Sequence, residues 1–82
     1  MSARALVIHG EVHLTLASVA DCFAVEVEWV ERVYALGLLG PGERVDGSVA
    51  VAAGLLDRVA EVLRLSRYHG VALESVEVFL HE

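Results

Sequence analysis

The apolar positions of this chain change period along its length. Ala5 to Ile8 form a short apolar run, and Val12 and Leu14 alternate with Glu11, His13 and Thr15. That two-residue alternation is the mark of a half-buried strand. With Gly10-Glu11 between them, the two segments predict a short N-terminal strand or hairpin. From Thr15 onward the period becomes helical. Thr15 is placed as an N-cap whose hydroxyl accepts from N–H groups of the first turn, and Leu14 and Val19 are spaced for a hydrophobic staple. Leu16, Val19, Ala20 and Phe23 make the apolar stripe of a first helix of about two turns. A second helix is predicted from about Glu26 to Leu36, with Val27, Val30, Val33 and Tyr34 on one face and Gly37 just past its end. Because little more than Ala24-Val25 separates them, the two helices must cross sharply, as in a helix-turn-helix.

Leu38 to Val45 carries Gly40-Pro41-Gly42, too many turn residues for a helix, and predicts a short strand and turn. Asp46 or Ser48 is placed to cap a long third helix bearing Ala52, Leu55, Leu56, Val59, Val62, Leu63 and Ser66 at helical spacing. Gly54 inside that pattern costs ~1 kcal/mol relative to Ala. A start near Leu55, with Ser48 to Ala53 in another conformation, therefore stays open. Gly70 closes this helix, with Arg64, Arg67 and His69 near its end, where cations suit the helix dipole. A last helix, Glu74 to His81, places Leu73, Val76, Glu77 and Leu80 on one side. No repeat or low-complexity segment appears, and residues 1–82 read as a single domain.

Composition narrows the function classes. The chain has 82 residues, 56% of them hydrophobic, with 12 acidic against 6 basic residues and a net charge of −6. All basic residues are Arg, and Lys, Asn and Gln are absent. The apolar content excludes disorder, and Cys22, standing alone, excludes a disulfide scaffold. No uncharged stretch approaches the ~18 apolar residues of a membrane span, and Ala5 to Ile8 is too short for a signal-peptide core. A soluble cytoplasmic protein is the expectation. The missing amides and a lone initiator Met suit a thermophile, as GC-rich coding also would. The apolar surplus has two readings, a dense core or a patch for a partner or second copy. Val49 to Leu56 is the candidate segment for the second.

The order of elements and the residues that carry it resemble a known group. Leu14 to Pro41, LTLASVADCFAVEVEWVERVYALGLLGP, with its capped first helix, Val ahead of the second and Gly-Leu-Leu-x-Pro after it, looks like the opening of MerR-type winged-helix domains. Arg64 to Leu80, RLSRYHGVALESVEVFL, looks like their closing pattern. Within that group the chain most resembles the bacterial chaperone-modulator proteins of the CbpM and DafA kind, short proteins without an effector domain whose second helix is often acid-rich. Their Gly-Val-Asn-Leu is close to Gly70-Val71-Ala72-Leu73. The wing segment Glu43 to Gly47 departs from the pattern, having one Arg and no aromatic. The resemblance implies a mainly α fold, a MerR-like winged helix-turn-helix with a short N-terminal strand or hairpin and a small wing. It also implies a non-enzymatic adaptor, without cofactor or metal, that binds the J-domain of a DnaJ-type co-chaperone, whose surface helix is basic. Such an adaptor modulates or assembles the DnaK chaperone system.

The surface chemistry bears on that expectation. A helix that reads DNA should be basic, since phosphate neutralisation supplies most of the binding free energy. Here Ala24 to Gly37 holds Glu26, Glu28 and Glu31 against Arg32 alone, and the amide side chains that read base edges are absent. The same composition suits a protein partner. Trp29 between Glu28 and Arg32 has the make-up of an interface hot spot, although an ordinary packing role for Trp29 on the wing or N-terminal strand stays open. The predicted partner-binding set is Glu28, Trp29, Glu31 and Arg32. Catalysis finds little footing. His9 and His13 lack a third zinc ligand, and Cys22, bordering the first helix's stripe, reads as a buried inert thiol. Two alternatives accompany the adaptor: a MerR-family DNA-binding transcription regulator, and a homo-oligomeric structural module joined through Val49 to Leu56.

Overall fold

A computed structural model describes residues 5–80. Strands β1 (Ala5–Ile8) and β2 (Glu11–Thr15) are followed by helices α1 (Leu16–Phe23) and α2 (Val27–Ala35). Strands β3 (Glu43–Val45) and β4 (Ser48–Ala52) come next, then a 3-10 turn (Ala53–Leu55) and helices α3 (Leu56–Tyr68) and α4 (Leu73–Leu80). The four strands form one antiparallel sheet in the order β1-β2-β4-β3.

The fold is therefore α+β, not the mainly α winged helix that the resemblance implied. The difference arises at Ser48–Ala52. The segment is a full strand that pairs with its wing partner β3 on one side and with β2 on the other, Leu14 opposite Val51. What local pattern presents as a small wing and a separate N-terminal hairpin is a single sheet. Asp46 and Ser48 accordingly cap no helix. Asp46 lies in the β3–β4 turn, Ser48 opens β4, and α3 starts only at Leu56.

Both hairpins use two-residue turns with positive φ at each central residue, 53° and 81° at His9-Gly10 and 51° and 80° at Asp46-Gly47. That is the type I′ conformation, whose twist matches the flanking strands. The cap predicted at Thr15 is present, its Oγ1 accepting from the Ser18 N–H at 3.1 Å. Helix α2 ends in a Schellman motif. Leu38 N–H reaches the Val33 carbonyl, Gly37 N–H the Tyr34 carbonyl, and Gly37 takes φ +80°.

Helix α1 ends in the same way, with Val25 N–H on the Ala20 carbonyl and Ala24 N–H on that of Asp21. The left-handed residue there is Ala24, at φ 56°. A Cβ in that region costs about 1 kcal/mol or more. Ala24→Gly is accordingly expected to raise stability by about 1 kcal/mol, read as a higher urea midpoint at unchanged slope.

Residues opposite one another on antiparallel strands share a face. Leu14, Val51 and Val49 turn one face of the sheet into the core. There they join Leu16, Val19 and Ala20 of α1, Val30 and Val33 of α2, Val59, Val62 and Leu65 of α3, and Leu73 and Val76 of α4. Further out on that face, Val7 opposite Val12 is exposed. Leu38 and Leu39, from the α2–β3 loop, complete the core.

Candidate functional site

Helix α2 begins at an extended residue, Glu26, with Glu28 in its first turn, where a carboxylate suits the positive end of the helix dipole. Val30 and Val33 are fully buried and fix which way the helix faces. Glu26, Glu28, Glu31 and Arg32 consequently point to solvent. Trp29 is half-buried and packs against the core, so the predicted partner-binding set divides. Glu28 and Glu31 are surface carboxylates, while Trp29 is a partly exposed packing residue.

Arg32 has a partner that no local pattern announces. Its guanidinium donates to the carboxylate of Glu74, which lies 42 residues later at the start of α4. The pair ties α2 to α4 and neutralises the only cation of α2. Counting Glu26, Glu28, Glu31 and Glu74 against Arg32, the local balance is 1 − 4 = −3. The hydrogen bond from Arg32, then the Glu74 backbone N–H and the Arg32 charge, hold the Glu74 carboxyl below its ordinary 4.5. A depressed carboxyl stabilises the fold above its ordinary range and ceases to do so as pH falls through the lowered value. By carbon-detected NMR titration, Glu74 is expected to titrate below its ordinary value and to move back toward it in Arg32→Gln, the backbone N–H still holding part of the lowering. Equal titration in wild type and variant would refute the tie.

Val27 and Glu31, one helical turn apart, look toward the β3–β4 turn. There the start of α1, α2 and the start of β4 enclose a cleft of about 320 Å³, lined among others by Thr15, Ala17, Val27, Glu31 and Ser48. Sequence spacing brought out Glu31 but not the cleft, because Gly47 and Ser48 arrive from a different hairpin. The only local signal was the turn dipeptide Asp46-Gly47.

Other sequence candidates do not converge on this surface. Cys22, expected to be buried, is exposed on α1, because Leu16, Val19 and Ala20 already fill the buried side of that short helix. His9 sits exposed in the first turn, whereas His13 is buried with its Nδ1 3.1 Å from the Glu11 carbonyl. Among the described residues no group of three or more His, Cys, Asp or Glu could hold a metal ion. His69 ends α3, its Nε2 3.1 Å from Arg64, and Arg64 also pairs with Glu61. Val49 to Leu56, the candidate oligomer segment, is a central strand and turn in which Ala50 and Val51 are buried. No helix among the described residues is long and apolar enough to cross a membrane.

Compared with known protein families, with curated proteins and with solved structures, the chain matches none.

Proposed function

We propose that this chain is a non-enzymatic cytoplasmic adaptor that binds the J-domain of a DnaJ-type co-chaperone through α2, and so modulates or assembles the DnaK system. The observation that carries the reading is the uncompensated acid of α2. Glu28 and Glu31 face solvent, and the helix's single Arg is taken by Glu74. Such a face attracts a basic helix over a distance and accelerates encounter. It also repels a phosphate backbone, which argues against the DNA-binding alternative. The choice of a J-domain among basic partners comes from the likeness of Leu14 to Pro41 and Arg64 to Leu80 to chaperone modulators. That likeness rests on α1, α2 and the loop to Pro41, and on the end of α3 together with α4.

The test is capture from the native cytoplasm, followed by direct titration of a purified DnaJ-type protein at two salt concentrations. Recovery of DnaJ or DnaK, with an affinity that falls as salt rises, is the expected result. Absence of both, together with salt-sensitive retention on DNA, would overturn the reading.

A further inference from the structure

We infer that the cleft between α1, α2 and the β3–β4 turn receives a single cationic side chain, a Lys or Arg, from the protein partner. This deepens the adaptor reading and rests on it. The cleft measures about 320 Å³, at the small end of binding pockets, and so suits one long side chain better than a free cofactor. Its aliphatic lining residues include Leu16, Val27 and Val49, and its lining residues with polar side chains are Thr15, Ser48 and Glu31. No lining residue is basic, and Glu31 makes no ion pair among the described residues. The Thr15 hydroxyl is already engaged with Ser18, which leaves Glu31 as the strong acceptor.

That combination matches the anatomy of Lys and Arg. The methylene stem lies along apolar walls while the charged head keeps polar company. A carboxylate is the acceptor with which guanidinium and ammonium groups make their shortest hydrogen bonds. The opposite occupant, an anion at the start of α1, is disfavoured. The helix is only eight residues long, its Ser18 N–H is capped by Thr15, and Glu31 stands in the same cleft. One seated cation would give the interface an anchor, with Glu28 and Glu26 left to steer approach from the rim.

The test uses the full chain in two arms. In the first, affinity for a purified DnaJ-type protein is compared among wild type, Glu31→Gln, Glu28→Gln and Ala17→Trp, the last filling the cleft from an exposed position of α1. Glu31→Gln and Ala17→Trp are expected to weaken binding roughly tenfold, and Glu28→Gln only two- to threefold. In the second, the isotope-labelled chain is titrated with N-acetylarginine methylamide and with its uncharged citrulline counterpart. The arginine compound alone should shift the amides of residues 15–17 and 47–49, and Glu31→Gln should abolish the shifts. Binding of the J-domain protein at wild-type affinity by folded Glu31→Gln overturns the cleft and leaves the adaptor standing. No J-domain binding, with arginine-specific shifts at the cleft, overturns the adaptor and leaves a cation receptor. Equal shifts from both compounds overturn the cleft whatever the partner.

Discussion

Replacing Leu39 by Ala is expected to destabilise the protein by about 3 kcal/mol. Among the described residues Leu39 is the largest side chain with no exposed surface, and it comes from the irregular connection between α2 and β3. It is set there by a chain of local contacts. Leu38 N–H closes the Schellman motif on Val33, the Leu38 carbonyl accepts from Arg58 at 3.4 Å, and the Tyr34 hydroxyl donates to the Pro41 carbonyl. With its backbone held on both sides, the loop cannot readily collapse into the space a truncated side chain leaves, so both the transfer and cavity costs apply. A chain of this length has a total stability of roughly 4–12 kcal/mol. The loss would therefore lower Tm by about 12–24 °C. Urea unfolding followed by the fluorescence of Trp29, the only Trp, measures it. Leu36→Ala, at an exposed position of the same loop, should change stability by less than about 0.5 kcal/mol. Equal effects at the two positions would sink the claim that this loop is part of the core.

The second large effect concerns binding. Glu28→Arg combined with Glu31→Arg takes the local balance of Glu26, residues 28 and 31, Glu74 and Arg32 from −3 to 3 − 2 = +1. Against a basic J-domain helix, attraction becomes repulsion, and affinity is expected to fall roughly a hundredfold at low salt. The salt dependence should reverse, with added salt screening repulsion in the variant and attraction in the wild type. Folding should change little, since both residues are exposed. The loss of Glu28 from the first turn costs about 0.5 kcal/mol through the helix dipole. Isothermal titration beside circular dichroism separates the two. A folded variant that binds within twofold of wild type would refute the acidic-helix mechanism.

How much of this was legible in the chain depends on the range of the interaction. The cap at Thr15, the stripe of α1, the buried face of α2 and the stop at Gly37 all follow from residues within one or two helical turns, and the structure has them. The late start of α3 was visible through Gly54. The sheet was not. Ser48–Ala52 alternates Val and Ala, and Ala suits a helix as well as a small buried strand position, so the segment blends into the helical spacing that follows. Only its pairing with β2 decides the matter, and that contact joins distant parts of the chain. The candidate site divides along the same line. The exposure of Glu28 and Glu31 follows from Val30 and Val33. The Arg32–Glu74 tie and the cleft beside Glu31 depend on α4 and the second hairpin, whose arrival no local spacing encodes. Leu65, buried in α3 although absent from the predicted stripe, marks the limit of a strict spacing rule at a helix facing two neighbours.

The sheet order β1-β2-β4-β3 holds a further consequence. Each half of the chain runs hairpin, helix, helix, and β2 and β4 are offset by 48 − 11 = 37 residues at both ends. Leu14 and Val51, cross-strand partners at the sheet's centre, are separated by the same 51 − 14 = 37. Each is therefore the other's counterpart, and a pseudo-twofold axis passes between them. Although the sequence shows no repeat, the sheet is built as two like halves meeting across an isologous seam, the arrangement of a twofold dimer carried on one chain, while the helices depart from the offset, α1 starting at Leu16 and α3 at Leu56. Neither half is complete alone, because each would leave a central strand edge open and a core residue uncovered. The connection around Gly40-Pro41-Gly42 then acts as a tether, holding one half at high effective concentration beside the other.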